Sequence, residues 1–217
     1  MNIFAVNDDP RLAALELPDK LIPKMIVEST QMLSTAHRVL DGDAGADAKL
    51  LYKKAYENHP SCVWVREDAM NYWWLWMHAL ALSEEYKWRF TDGTSVAANK
   101  TVPVIHHLQN LPVNIPANKD TSWEVLADLP LCMPDQYKQE GSGHRIYAME
   151  SYQKFITQDK PYMQDVFKAY TRAIQKKEES FIDCAIDYPP QWVTRNATDE
   201  QRKHIDLHKL MNPESAV

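Results

Sequence analysis

Between residues 59 and 90 the chain reads HPSCVWVREDAMNYWWLWMHALALSEEYKWRF, and its apolar and polar positions recur with the period of an α-helix. At about 100° per residue, Met70, Trp73, Trp74, Met77, Leu80, Ala81 and Trp88 cover one broad arc, and Glu67, Asn71, His78, Glu85 and Arg89 fall within about 40° of one another beside it. Leu75 and Leu82 flank the polar stripe on its other side. A stripe bordered by large apolar groups on both flanks is predicted to be partly buried, and buried charge requires partners from another helix or from a ligand.

A second long helix is predicted from about Asp19 to Leu40, with Pro23 in its first turn and Gly42 and Gly45 marking its end. Ile22, Met25, Ile26, Met32, Leu33, Ala36, Val39 and Leu40 form its apolar arc, and Lys24, Glu28, Gln31 and Thr35 form a narrow polar ribbon. On spacing alone the ribbon reads as a solvated face with one weak Lys–Glu pair. The sharper reading sets it against the stripe of the tryptophan-rich helix, so that two helices line one cleft.

Elsewhere the pattern is shorter. MNIFAV reads as a short strand, Asp8, Asp9 and Pro10 open a helix to about Leu17, and residues 47–57 suggest another before the break at His59-Pro60. Pro103, Pro112, Pro116, Pro130 and Pro134 cut the region 91–143 into loops, with VPVIHHLQNL as its helical turn or two. Helices follow over about 145–157, 161–179 and 199–210. With only five glycines and no alternating β-branched runs, the expectation is a mainly α chain. It is read as an irregular helical bundle forming a single domain over 1–217, with 91–143 loop-rich and 198–217 a peripheral tail.

Composition narrows the function classes. No apolar run approaches the roughly 18 residues of a membrane span, and the start lacks a secretion signal, so a cytoplasmic protein is expected. Cys62, Cys132 and Cys184 are far apart and odd in number, which argues against a disulfide framework or a CxxC metal site. A net charge of −6 argues against bulk binding to duplex nucleic acid while leaving room for a local basic cleft. The zinc-deaminase and G-x-S-x-G motifs are both missing. His204 and His208 are spaced to hold a metal on a helix but have no third ligand, and Gly141-Ser142-Gly143 reads as a turn.

The candidate chemistry collects around two helices. His59, Glu28 and Glu67 are the candidate acids or bases, His59 being favoured over His37 because it stands at the break before the tryptophan-rich helix. Lys20, Lys24, Arg66 and Arg89 suit phosphate or carboxylate, and Gln31, Asn71, Trp74, His78 and Asp135 complete the substrate-binding set. Trp73, Trp76 and Trp88 read as packing residues, leaving Trp74 and Trp64 as candidates for stacking on a base. Glu28, Glu67, His59 and Asp135 would form a metal site only if folding joined them, since no ligand spacing demands one; no metal and no cofactor is assigned.

These residues carry a resemblance. The MNIF opening, the run Asp19, Lys20, Lys24, Met25, Glu28, Ser29, Gln31, and Thr35-Ala36-His37-Arg38 come first. His59-Pro60, Trp64-x-Arg66, Asn71-Tyr72-x-Trp74-Leu75, Glu85-Tyr86 with Arg89, Met133-Pro134-Asp135 and Tyr137-Lys138 follow. Together they resemble a family of small, largely uncharacterised tailed-bacteriophage proteins, with Leu21 where that family usually has histidine. The resemblance implies phage DNA metabolism or base modification in the host cytoplasm.

Three readings follow. The favoured one is an enzyme acting on DNA or nucleotides, a base-modifying transferase. A DNA glycosylase or nuclease is the second, using a carboxylate to activate water or to support a cation-like transition state. A non-catalytic helical protein binding a host protein is the third.

Overall fold

The computed structural model describes residues 1–91, 99–119, 125–139, 145–175 and 190–203, and among these there is no strand. Nine helices are named in chain order: α1 (Pro10–Leu15), α2 (Ile22–Leu40), α3 (Asp43–Ala48), α4 (Pro60–Glu67), α5 (Ala69–Phe90), α6 (Val102–His107), α7 (Arg145–Asp159), α8 (Val166–Gln175) and α9 (Gln191–Asn196). Single 3-10 turns cover Asp135–Tyr137 and Pro161–Gln164. The chain is all-α, as its periodicity predicts. Gly141–Gly143, Cys184, His204, His208 and most of the predicted 199–210 helix lie outside the described residues.

Local chemistry sets the helix ends. Asp9 caps α1 by accepting from the Arg11 and Leu12 amides, with Pro10 at the first position. Past α2, Gly42 takes a φ of 87°, a conformation open to glycine but costly for other residues. The predicted helix over 47–57 is replaced by α3 and an extended segment. Arg38 explains this, because its guanidinium takes hydrogen bonds to the Leu51 and Tyr52 carbonyls that a helix would have used internally. It also pairs with Asp43 at 3.0 Å and Asp47 at 2.6 Å.

The tryptophan-rich segment is likewise two helices. Asp68 breaks it with φ −153° and ψ 145°, and its carboxylate caps α5 by accepting from the Met70 amide at 2.8 Å. Its other oxygen accepts from the Asn118 and Lys119 amides at 2.7 and 3.1 Å, fastening the proline-rich loop to the start of α5. Glu67 therefore leaves the phase of the stripe and is exposed at the end of α4.

α5 packs on α1 and α2, and α2 also packs on α4. The MNIFAV segment is no strand: it threads the interior as irregular chain, with Ile3, Phe4, Ala5 and Val6 at 0–1% exposure. Gln153 of α7 donates to the Val6 carbonyl at 2.8 Å, and Phe4 meets Tyr152 edge-on and stacks with Phe155. Burying residues 3–6 this way fixes where Met1 emerges. The C-terminal elements lock back onto the first helix through Trp192, whose Nε1 donates to Glu16 at 2.9 Å.

Candidate active site

Met1 ends up beside α4. Its amino nitrogen lies 3.3 Å from His59 Nε2, and its Sδ is 3.7 Å from Cys62 Sγ. His59 is the N-cap of α4, with Nδ1 accepting from the Ser61 amide at 3.2 Å. An imidazole whose Nδ1 accepts carries its proton on Nε2 when neutral, so this cap aims an Nε2–H donor at the Met1 nitrogen. Burial and the positive charge of the amino terminus both hold His59 below its ordinary pKa, against the pull of Glu28, which keeps the ring neutral.

Glu28 contributes the carboxylate. It is half-buried on α2, with Oε1 3.6 Å from Lys24 Nζ and Oε2 buried without a hydrogen-bond partner among the described residues. A buried carboxylate oxygen with no donor is costly in a purely structural role and is what a site awaiting a cationic group retains. Lys24 stays exposed at the rim, and Gln31 follows one turn further along α2. Cys62 is no nucleophile here, because burial pushes its thiol up to about 11.

The polar stripe of α5 has another destination. Arg89 is fully buried, donating from Nε to Glu85 at 2.8 Å and from its two terminal nitrogens to the Leu17 and Leu15 carbonyls at 2.6 and 2.7 Å. His78 Nδ1 donates to the Pro10 carbonyl at 2.8 Å, and burial pushes its pKa down to about 4. Asn71 donates to the Trp64 carbonyl at 2.8 Å and accepts from Lys119 at 2.9 Å. The stripe is buried as predicted. Its partners are the backbone ends of α1 and α4 rather than the ribbon of α2, so the two polar faces do not meet in one cleft.

The remaining predicted site residues scatter. Arg66 donates to the Glu57 and Cys62 carbonyls at 2.6 and 3.1 Å. Lys20 is exposed over the Tyr162 ring, and Asp135 lies on the surface paired with Lys138 at 2.7 Å. Among the described residues no three His, Cys, Asp or Glu groups are placed to hold a metal ion.

The tryptophans exchange roles. Trp64 and Trp74 are 1% and 6% exposed, with their indole N–H groups on Asp128 and the Asp8 carbonyl. Trp73, by contrast, is 41% exposed and lines an open cleft with Tyr72, Trp76, Gln109, Asn110 and Leu111. Phase about a helix could not separate these residues, because the packing of α1 and α2 on α5 decides which arc is covered.

The structure thus brings together Glu28, His59 and Lys24, and adds the Met1 amine. Met1 is the residue that the sequence reading missed. No periodicity connects it to a histidine 58 positions away, and only the path of the buried segment 3–6 joins them.

No helix among the described residues is long and apolar enough to cross a membrane. Neither a curated protein nor a solved structure matches the chain. The first 96 of its 217 residues, which contain Met1, Glu28 and His59, match the model of a family described as pyrimidine dimer DNA glycosylase.

Proposed function

We propose that this protein is a DNA glycosylase acting on pyrimidine dimers, with Glu28, His59 and the Met1 amine as its reacting groups. The observation that carries the reading is the buried Oε2 of Glu28, without a partner among the described residues, whose charge acts on the His59 imidazole that itself lies 3.3 Å from the amine, inside the segment matching the family model. Breaking a bond from sugar to base leaves C1′ with cationic character, which a fixed carboxylate stabilises. A primary amine is a competent nucleophile toward such a carbon, displacing the base, which stays joined to its neighbour through the cyclobutane ring, and leaving a C1′–N bond that opens to a Schiff base. His59 suits this step. Attack on carbon needs the uncharged form of the amine, and the lone pair of that form can accept from the Nε2–H that the α4 cap directs at it from 3.3 Å.

The family match gives the glycosylase reading more support than a base-modifying transferase or a protein that binds a host factor. Lys24 stands at the rim to meet phosphate.

The test is a duplex oligonucleotide carrying one thymine dimer, incubated with and without borohydride. Wild-type protein is expected to cut one glycosidic bond of the dimer, leaving its base tethered to the neighbouring thymine, and with borohydride to form a reduced covalent adduct at the Met1 peptide. Glu28→Gln should slow this cleavage by about 10²–10³-fold. Absence of lesion processing by the wild type, or full activity in Glu28→Gln, overturns the proposal. Glycosidic cleavage without a trapped adduct would instead assign the attack to water.

A further inference from the structure

Between α3 and α4 the chain presents one aromatic side chain to solvent at a backbone cost. Tyr56 is 75% exposed and has a φ of 51°, in the left-handed region that residues with a Cβ rarely occupy. Leu50 has a similar φ of 56°, but there the conformation ends α3, a common place for it. No helix ends at Tyr56.

Its neighbours account for the strain. On one side Ala55 is tied to α2, its amide donating to Thr35 Oγ1 at 3.1 Å and its carbonyl accepting from the same hydroxyl at 3.4 Å. On the other, the Glu57 carbonyl is held by Arg66 at 2.6 Å. The Tyr56 carbonyl accepts from the His59 amide at 2.8 Å, joining this residue to the turn that positions the site imidazole. Strain kept by surrounding bonds that all favour it is the mark of a functional position. Lys53 and Lys54 precede Tyr56, and their ion pairs with Asp47 at 2.8 Å and Glu57 at 3.7 Å are exposed and exchangeable. Two lysines thus stand beside a solvent-facing ring, each able to exchange its carboxylate for a phosphate.

We infer that the 53–57 segment is a duplex-DNA wedge, in which Tyr56 stacks on a base beside the lesion while Lys53 and Lys54 hold the flanking phosphates. The inference rests on the glycosylase reading of the Glu28 site and assigns it a substrate-opening element. A ring on a short pinned turn resists withdrawal, and bases accept stacking irrespective of sequence.

The experiment uses full-length protein carrying Glu28→Gln and a thymine-dimer duplex with 2-aminopurine in the complementary strand across the wedged step, where the tyrosine ring unstacks a base without covering it. Binding is expected to raise the 2-aminopurine emission. Tyr56→Ala should abolish that rise and weaken affinity by about 5- to 150-fold, whereas Tyr56→Trp retains both. Tyr56→Gly separates wedge from scaffold: it should melt no lower than its parent, because glycine accepts the left-handed φ, and yet bind as weakly as Tyr56→Ala. Replacing both lysines with alanine should lower the slope of log affinity against log salt by roughly two. Unchanged affinity and emission in Tyr56→Ala overturn the wedge. The site reading fails independently: if protein with Glu28 intact leaves the dimer's glycosidic bonds uncut while Tyr56-dependent unstacking persists in the Glu28→Gln protein, the wedge stands and the glycosylase assignment falls.

Discussion

Replacing Arg89 with alanine removes a guanidinium that has no exposed surface and serves three acceptors at 2.6–2.8 Å. One is the Glu85 carboxylate, itself 3% exposed, and the others are the Leu15 and Leu17 carbonyls just where α1 ends. Cutting a buried pair at one partner costs about 3–5 kcal/mol, since a charge remains in a medium that solvates it poorly. For a chain of this length each kcal/mol lowers Tm by about 2–4 °C, so a fall of roughly 6–20 °C is expected. Urea unfolding followed by circular dichroism, with thermal melts alongside, measures both. Arg89→Lys should recover only part of the loss, because an ammonium cannot reach a carboxylate and two carbonyls in the geometry of a planar fork. At temperatures where the variant is folded, its affinity for dimer-containing DNA should match wild type. A loss of stability below about 1 kcal/mol, or selective loss of DNA binding at unchanged stability, would refute the reasoning and return Arg89 to a ligand-binding role.

Two further outcomes are expected. His37 and His78 are buried and held neutral at a pKa of about 4, desolvation being the main cause in each and Asp41, 3.8 Å away, opposing it at His37. In the unfolded chain both titrate near about 6.5, so that state takes up protons first. The stabilisation present above about pH 6.5 is therefore lost as pH falls toward 4, by about 3 kcal/mol per histidine at the limit. Denaturant unfolding across that window should show the decline, with a shallower slope in His78→Leu; a flat profile would count against the buried neutral assignment. Asp68→Ala should cost about 2–4 kcal/mol by removing the cap of α5 and the acceptor for the Asn118 and Lys119 amides. Hydrogen exchange should show those two amides losing protection together, and independent behaviour would contradict the shared anchor.

The sequence by itself determined the helical class, the length of α2 and the burial of the α5 stripe. These are consequences of local periodicity, of Pro10 and Pro23 near helix starts, and of a glycine that can take positive φ past a helix end. It also made a charged stripe between apolar flanks demand partners, which does not depend on the fold. Which partners those are, only the tertiary structure decided. Arg89 and His78 meet carbonyls of the α1 region because α1 packs across α5, and a backbone carbonyl leaves no signature in a side-chain pattern. Tertiary structure likewise split α4 from α5 at Asp68, where the loop amides 118 and 119 reward an extended residue that helical phase alone would have continued through. The meeting of Met1, Glu28 and His59 belongs to the same class. Its members come from irregular chain, a long helix and a helix cap, and burial of Ile3–Val6 in the core is what brings them to one point.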